Sequence, residues 1–275
     1  MRAALAFLLG LLALVLTAVA TPALWLERNV VDETGYVSLV DPLGRDAAFQ
    51  DALATTLTDA VLARADLSST VDETARPVLL QVAQNLTRLP GYADAWTETN
   101  RRSHALVFDG SQSGEVAIDV APLAQLLADE STGRLGVDLP VPSTLPVTVG
   151  GEQERRAVDA STTLDPRAYY LAGAALLLAV LCVAAARRRS TAVLWLGIGT
   201  LVVAGLLKAT AAVVLPELAR ASGSSDLGDQ VIELLRQAAG SSFDGWLLAL
   251  GGLGVVLLVL GGIARVVSRR HDAPA

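Results

Sequence analysis

The chain has 275 residues, 52% of them hydrophobic, and a net charge of −7. Apolar content above that of soluble domains, gathered into long runs, excludes an ordinary soluble protein, and the acidic balance excludes a nucleic-acid binder. The single cysteine excludes an intramolecular disulfide and a cysteine-based metal site.

The first run covers roughly residues 3–26 and follows Arg2. Its length exceeds the ~20 residues that cross a bilayer as a helix. Ala18-Val19-Ala20 has the small-x-small form of a signal-peptide cleavage site. The apolar stretch continues past it to Leu26, which favours an uncleaved anchor, so residues 1–26 are read as transmembrane helix 1.

Residues 27–166 are ordinary in polarity and carry 22 Asp and Glu against 10 Arg. Asp41-Pro42 reads as a helix start, with Phe49, Leu53, Leu57, Ala60 and Val61 as its apolar stripe. Thr70-Val71-Asp72-Glu73 fits a capping box, opening a helix with Val71, Ala75, Val78, Leu79, Val82 and Leu86 on one side. Leu89-Pro90-Gly91 breaks it, and a third helix follows with Tyr92, Ala95, Trp96, Thr99, Leu106 and Val107 along one side. The period then changes. Ser111–Gly114 reads as a turn, and Glu115–Asp119 alternates as a strand. A short helix near Pro122–Leu127 and a second strand over Leu145–Val149 follow. Residues 152–165 read as helical, with a kink expected at Pro166.

The second run, 168–186, ends at Arg187, Arg188 and Arg189, so residues 167–190 form transmembrane helix 2 and an arginine-rich turn. The third covers 191–215. Residues 216–244 read as a loop with a short helix capped by Asp226, with Val231, Leu234, Leu235 and Ala238 on its apolar side, ended by Gly240. That side is expected to pack under the large domain. The last run, 245–264, precedes Arg265, Arg269 and Arg270, and residues 245–275 complete the chain as transmembrane helix 4 and a tail. These arginines act as topology determinants. They place both termini in the cytoplasm and residues 27–166 and 216–244 outside it. Trp25, Tyr169, Tyr170, Trp195 and Trp246 fall where interface anchors belong. Lys208, the only lysine, lies near the outer end of the third run and its stem is long enough to reach the interface. Gly197, Ala204 and Ala211 on the third run, with Gly251, Gly252, Gly254, Gly261 and Gly262 on the fourth, supply small faces for helix packing or oligomerisation.

The fold expected is a four-transmembrane-helix bundle, mainly α, with a small, mostly helical α+β extracytoplasmic domain inserted between helices 1 and 2. The segments Asn29–Val37 with Pro42-Leu43, Tyr92–His104, Val116–Leu123 and the paired runs around Arg187–Arg189 resemble a family of uncharacterised actinobacterial integral membrane proteins. The resemblance covers most of the chain. It implies an envelope protein without an established activity and so without functional residues to carry over.

One stretch invites chemistry. Trp96, Asn100 and His104 stand at i, i+4 and i+8 on a helix, with Arg101 beside them. They are the candidate partner or ligand contacts. A lone histidine supplies neither a metal site nor a base with its orienting group, and no catalytic motif is present, so neither cofactor nor metal is expected. Asp94 or Glu98 is placed to pair with Arg101 or Arg102. The function expected is a non-enzymatic scaffold in the cell membrane that contacts an envelope protein or lipid. Alternatives are an accessory of envelope lipid or solute transport, and a hydrolase built on His104.

Overall fold

A computed structural model describes residues 2–65, 69–108, 116–135, 139–220 and 226–271. The Ser111–Gly114 turn lies outside these residues, as do the side chains of Thr70, Val71, Asp72, Pro166, Asp226, Arg269 and Arg270. The chain divides into two compact units. The first, apolar, comprises Met1–Arg28, Thr163–Leu215 and Gly240–Ala275; the second, polar, comprises Asn29–Thr162 and Pro216–Ala239.

Among the described residues four helices are long and apolar enough to cross a membrane: Arg2–Val31, Arg167–Ala185, Arg189–Val214 and Gln230–Val267. They belong to α1 (Arg2–Leu26, extended by a π-helical turn Glu27–Val31), α7 (Glu152–Ala185), α8 (Arg189–Arg220) and α9 (Asp226–His271). Pro166 does not divide α7, and Gly240 does not end a short helix but lies inside α9. The helix continues through Ser241–Gly245 into the apolar run from Trp246, so the local C-cap signal loses to propagation.

Within the apolar unit α1 touches the other three helices. Ala6, Gly10, Ala13 and Ala20 are buried at alternating four- and three-residue steps, with Thr17 filling the remaining position. The Cys182 thiol of α7 donates to the Ala6 carbonyl oxygen at 3.1 Å, and a Cβ on Gly10 would meet that sulfur at 3.1 Å. Leu14 packs into Gly199 of α8. Trp25 Nε1 donates to Ser242 Oγ of α9 at 3.1 Å and its ring meets Phe243 edge-on at 5.6 Å. Small residues at such a seam let backbones approach closely where no hydrophobic force pulls helices together.

Among its described residues the polar unit is helical with one two-stranded sheet. It holds α2 (Glu33–Val40), a 3₁₀ turn (Asp41–Arg45), α3 (Ala47–Ala65), α4 (Ser69–Gln84) and a 3₁₀ turn (Leu86–Arg88). After these come α5 (Tyr92–Phe108), β1 (Val116–Asp119), α6 (Ala121–Leu135) and β2 (Pro146–Gly150). The strands pair antiparallel, with Ile118 opposite Val147. Asp41-Pro42 opens the 3₁₀ turn rather than α3. The α3 cap is Asp46, whose Oδ1 accepts from Phe49 N at 3.0 Å, as Asp32 Oδ1 accepts from Gly35 N at 2.8 Å for α2. At the Leu89-Pro90-Gly91 break Gly91 takes φ +88°, a left-handed backbone that glycine adopts without strain. The core gathers Phe49, Leu53, Leu57 and Val61 of α3, Ala75, Leu79 and Val82 of α4, Trp96 of α5, and Leu123 and Leu127 of α6. Val231, Leu234, Leu235 and Ala238 pack against it, as the apolar side of their helix predicted.

Candidate functional site

The α5 helix carries the four candidate contacts, and they divide. Trp96, Asn100 and His104 are buried on one face, and Arg101 is exposed on another. Trp96 meets Phe49 edge-on at 5.5 Å and lies against Gly44, where a Cβ would come within 2.8 Å of Cε2 and Nε1. The Gly44 carbonyl accepts from Tyr92 Oη at 2.7 Å and from Gln50 Nε2 at 2.9 Å. Burial, reinforced by Asp41 and opposed by Arg45, pushes the Tyr92 hydroxyl up to about 12. Asn100 Nδ2 donates to the Trp96 carbonyl at 2.8 Å, its own preceding turn.

His104 Nε2 lies 3.1 Å from the Val30 carbonyl oxygen. Its ring stacks on Phe108 at 4.5 Å and meets Tyr36 at 5.2 Å. Burial pushes the Tyr36 hydroxyl up to about 12. The histidine is thus in contact with two aromatic rings and bonded at one nitrogen, and its bonded partner is a backbone carbonyl near the end of the π-helical turn, where helix carbonyls lack intrahelical donors.

Arg101 and Arg102 both pair with Glu98, the alternative Asp94 being passed over. Arg101 does so through two bonds of 2.8 Å and Arg102 through one of 2.7 Å. Hydrogen bonds from Arg101 first and Arg102 second hold the Glu98 carboxyl down at about 2. Arg102 also donates to the Ser143 carbonyl at 3.0 Å. These groups tie α5 to the segment ahead of β2 and leave the Arg101–Glu98 pair on the surface.

Two acidic residues outside the sequence-derived set do more. Asp119 is buried, and its Oδ1 accepts from Ala121 N at 3.1 Å and Leu145 N at 2.8 Å. It joins β1, the start of α6 and the entry to β2. A strand-end aspartate one residue ahead of a helix is the signal that could have found it. Asp244 of α9 accepts from Lys208 Nζ of α8 through both oxygens at 2.6 Å. Lys208 therefore has an acidic partner that a scan of residues 245–264 alone leaves out.

Of the proposed interface anchors, Tyr169, Tyr170 and Trp195 are exposed, and Trp25 and Trp246 are half-buried. Arg187, Arg188, Arg189 and Arg265 are exposed. From Arg189 to Lys208 is 19 residues and from Asp244 to Arg265 is 21, about 28 and 32 Å of helix at 1.5 Å per residue. The apolar part of α7, Arg167–Ala185, has 19 residues, about 28 Å of helix. Three helices thus have apolar lengths that match a hydrocarbon layer about 30 Å thick. Among the described residues no group of three or more His, Cys, Asp or Glu is arranged to hold a metal ion. No protein-family model matches the chain, and neither a curated protein nor a solved structure matches it.

Proposed function

We propose that the protein is a multi-pass protein of the plasma membrane, with both termini cytoplasmic and the polar unit outside the cytoplasm. There it acts as a non-enzymatic scaffold that contacts an envelope component. One observation carries the reading. Large hydrophobic side chains left exposed, from Leu5 and Phe7 through Leu176 and Leu206 to Ile263, fall in the apolar unit, and none of those found among the described residues belongs to the polar unit. Water penalises such a surface and lipid does not. The arginine clusters Arg187–Arg189 and Arg265, Arg269 and Arg270, against the single Arg28 and Arg167 at the opposite ends, support the orientation. Membership of the actinobacterial family that the sequence resembles is part of the same proposal, resting on the segments named for it.

The committed state of His104 supports a structural rather than a hydrolytic role. A general base must reach the proton it removes, and the bonded nitrogen of His104 is engaged by the Val30 carbonyl. An accessory role in envelope lipid or solute transport is the second reading, favoured by the Lys208–Asp244 pair that joins α8 to α9.

Orientation is tested with single cysteines placed in a Cys182→Ser background. Asp94→Cys in intact cells should react with a membrane-impermeant maleimide, and Arg188→Cys only after permeabilisation. The opposite labelling overturns the topology. Crosslinking in cells with quantitative proteomics tests the scaffold role. The expected result is a reproducible envelope partner lost on deletion of the polar unit; recovery of the chain alone refutes it.

A further inference from the structure

Helices α8 and α9 share one antiparallel seam, read directly from their close contacts. A Cβ on Gly261 would meet Ser190 O and Leu194, one on Gly197 would meet Gly254 O and Leu258 N, and one on Gly254 would meet Leu201. All of these approaches are 3.1 Å or less. The contacts define a heptad seam, with Ser190, Leu194, Gly197, Leu201, Ala204 and Lys208 on α8 and Asp244, Leu247, Gly251, Gly254, Leu258 and Gly261 on α9. Lys208 and Asp244 meet where this register places them, at 2.6 Å.

The seam is filled unevenly. Towards Arg189 and Arg265 each glycine is occupied by a leucine or a backbone atom of the facing helix. Towards Lys208 and Asp244, Leu247 is buried, but a Cβ on Gly251 would meet nothing within 4 Å. Gly205, beside the seam one turn below Lys208, is equally open. Gly252 and Gly262 are open too, but they lie off the seam, so their openness is that of any lipid-facing position. Gly251 is open on the seam itself. Above the gap stands an ion pair with unused capacity, the side chains of Lys208 and Asp244 remaining 58% and 44% exposed. Lys208 has three N–H donors, and a carboxylate has about four acceptor sites.

We infer that this notch seats one acyl chain of a zwitterionic aminophospholipid whose headgroup rests on the ion pair. The phosphate accepts from Lys208 Nζ and the ammonium donates to Asp244. The charge pattern of the pair complements that headgroup at the level where helix length places the edge of the hydrocarbon layer. A phosphatidylglycerol headgroup offers no ammonium to the aspartate. The inference rests on the membrane reading proposed above.

The test is native mass spectrometry of the full chain in mild detergent with added dioleoyl phosphatidylethanolamine or dioleoyl phosphatidylglycerol. The unsubstituted chain should retain one phosphatidylethanolamine and bind phosphatidylglycerol roughly tenfold more weakly, the factor expected for one lost charge-assisted bond. Gly251→Leu fills the notch and should abolish retention. Gly252→Leu adds the same bulk off the seam and should not. Lys208→Gln should weaken retention by about tenfold and keeps the test decisive if Gly251→Leu does not fold. Equal binding of the two phospholipids, or retention unaffected by Lys208→Gln, overturns the inference, as does retention by a folded Gly251→Leu. Release of the chain from membranes by alkaline carbonate would instead overturn the membrane reading itself.

Discussion

Trp96 and Gly44 are packed so closely that residue 44 has no room for a side chain: a Cβ there would sit 2.8 Å from two atoms of the indole and 2.9 Å from Tyr92 Oη. The obstacle is a rigid ring system, itself held by Phe49, and not the free end of a flexible chain. Gly44→Ala should therefore destabilise the polar unit by roughly 1–3 kcal/mol through overpacking. Thermal unfolding of the full chain in detergent, followed by tryptophan fluorescence, measures it. An unchanged midpoint refutes the packing argument.

Asp119 satisfies two buried backbone donors with one oxygen. Asp119→Ala strands both, and bonds to a charged acceptor contribute about 1.5–3 kcal/mol each. The expected loss is about 3–6 kcal/mol. Asp119→Asn, which keeps an acceptor oxygen, should lose clearly less. Equal losses in denaturant titrations of the two variants count against the assignment.

Glu98 makes a pH-dependent contribution. Its folded value of about 2 lies below that of an unfolded glutamate, roughly 4.3. A lowered carboxylate value means stability that is present above about pH 4.3 and lost as pH falls towards 2. The melting difference between the unsubstituted chain and Glu98→Gln should be constant from pH 7 to 5 and shrink below pH 4. A difference that grows on acidification reverses the sign and refutes the account. The pair is exposed, so the effect is small and salt weakens it.

His104 is expected to respond as a structural residue. His104→Phe keeps the stack on Phe108 and removes the bond to Val30, at a loss of about 1 kcal/mol. His104→Ala removes both and should lose more. If His104→Phe instead leaves the midpoint unchanged and abolishes a hydrolytic activity of the purified protein, the hydrolase reading gains the evidence it lacks.

Much of this was legible because it is local. The period of Phe49, Leu53, Leu57 and Val61 gave a helix and its buried face, the alternation of Val116–Asp119 gave a strand, and Leu89-Pro90-Gly91 gave a break. What was not legible depends on partners distant in sequence. Gly251 and Gly254 read alike in the chain, and only the register with α8 leaves one open and the other locked. Asp244 sits one residue outside an apolar run, so its pairing with Lys208 emerges only when α8 and α9 are placed side by side. The Trp96, Asn100 and His104 face was found correctly as a face. That Trp96 and His104 serve the interior depends on Gly44 and Val30, more than fifty residues away.

Gly197 carries the strictest requirement in the apolar unit, because backbone atoms of Gly254 and Leu258 would stand 2.8 and 2.9 Å from an added Cβ and cannot turn aside. Gly197→Leu should force α8 and α9 apart and lower the unfolding midpoint in detergent far more than Gly252→Leu, whose surroundings are open. Equal effects would mean that the seam does not hold the helices.

The small-residue seam of α1 has a temporal meaning. Ala6, Gly10, Ala13 and Ala20 belong to a helix that leaves the ribosome ahead of α7, α8 and α9, yet α1 has contacts with all three. In the membrane reading, each later span arrives to find its docking surface already waiting in the bilayer. Order of synthesis and order of assembly then coincide, and an α1 lost during biogenesis would leave three helices without their common neighbour.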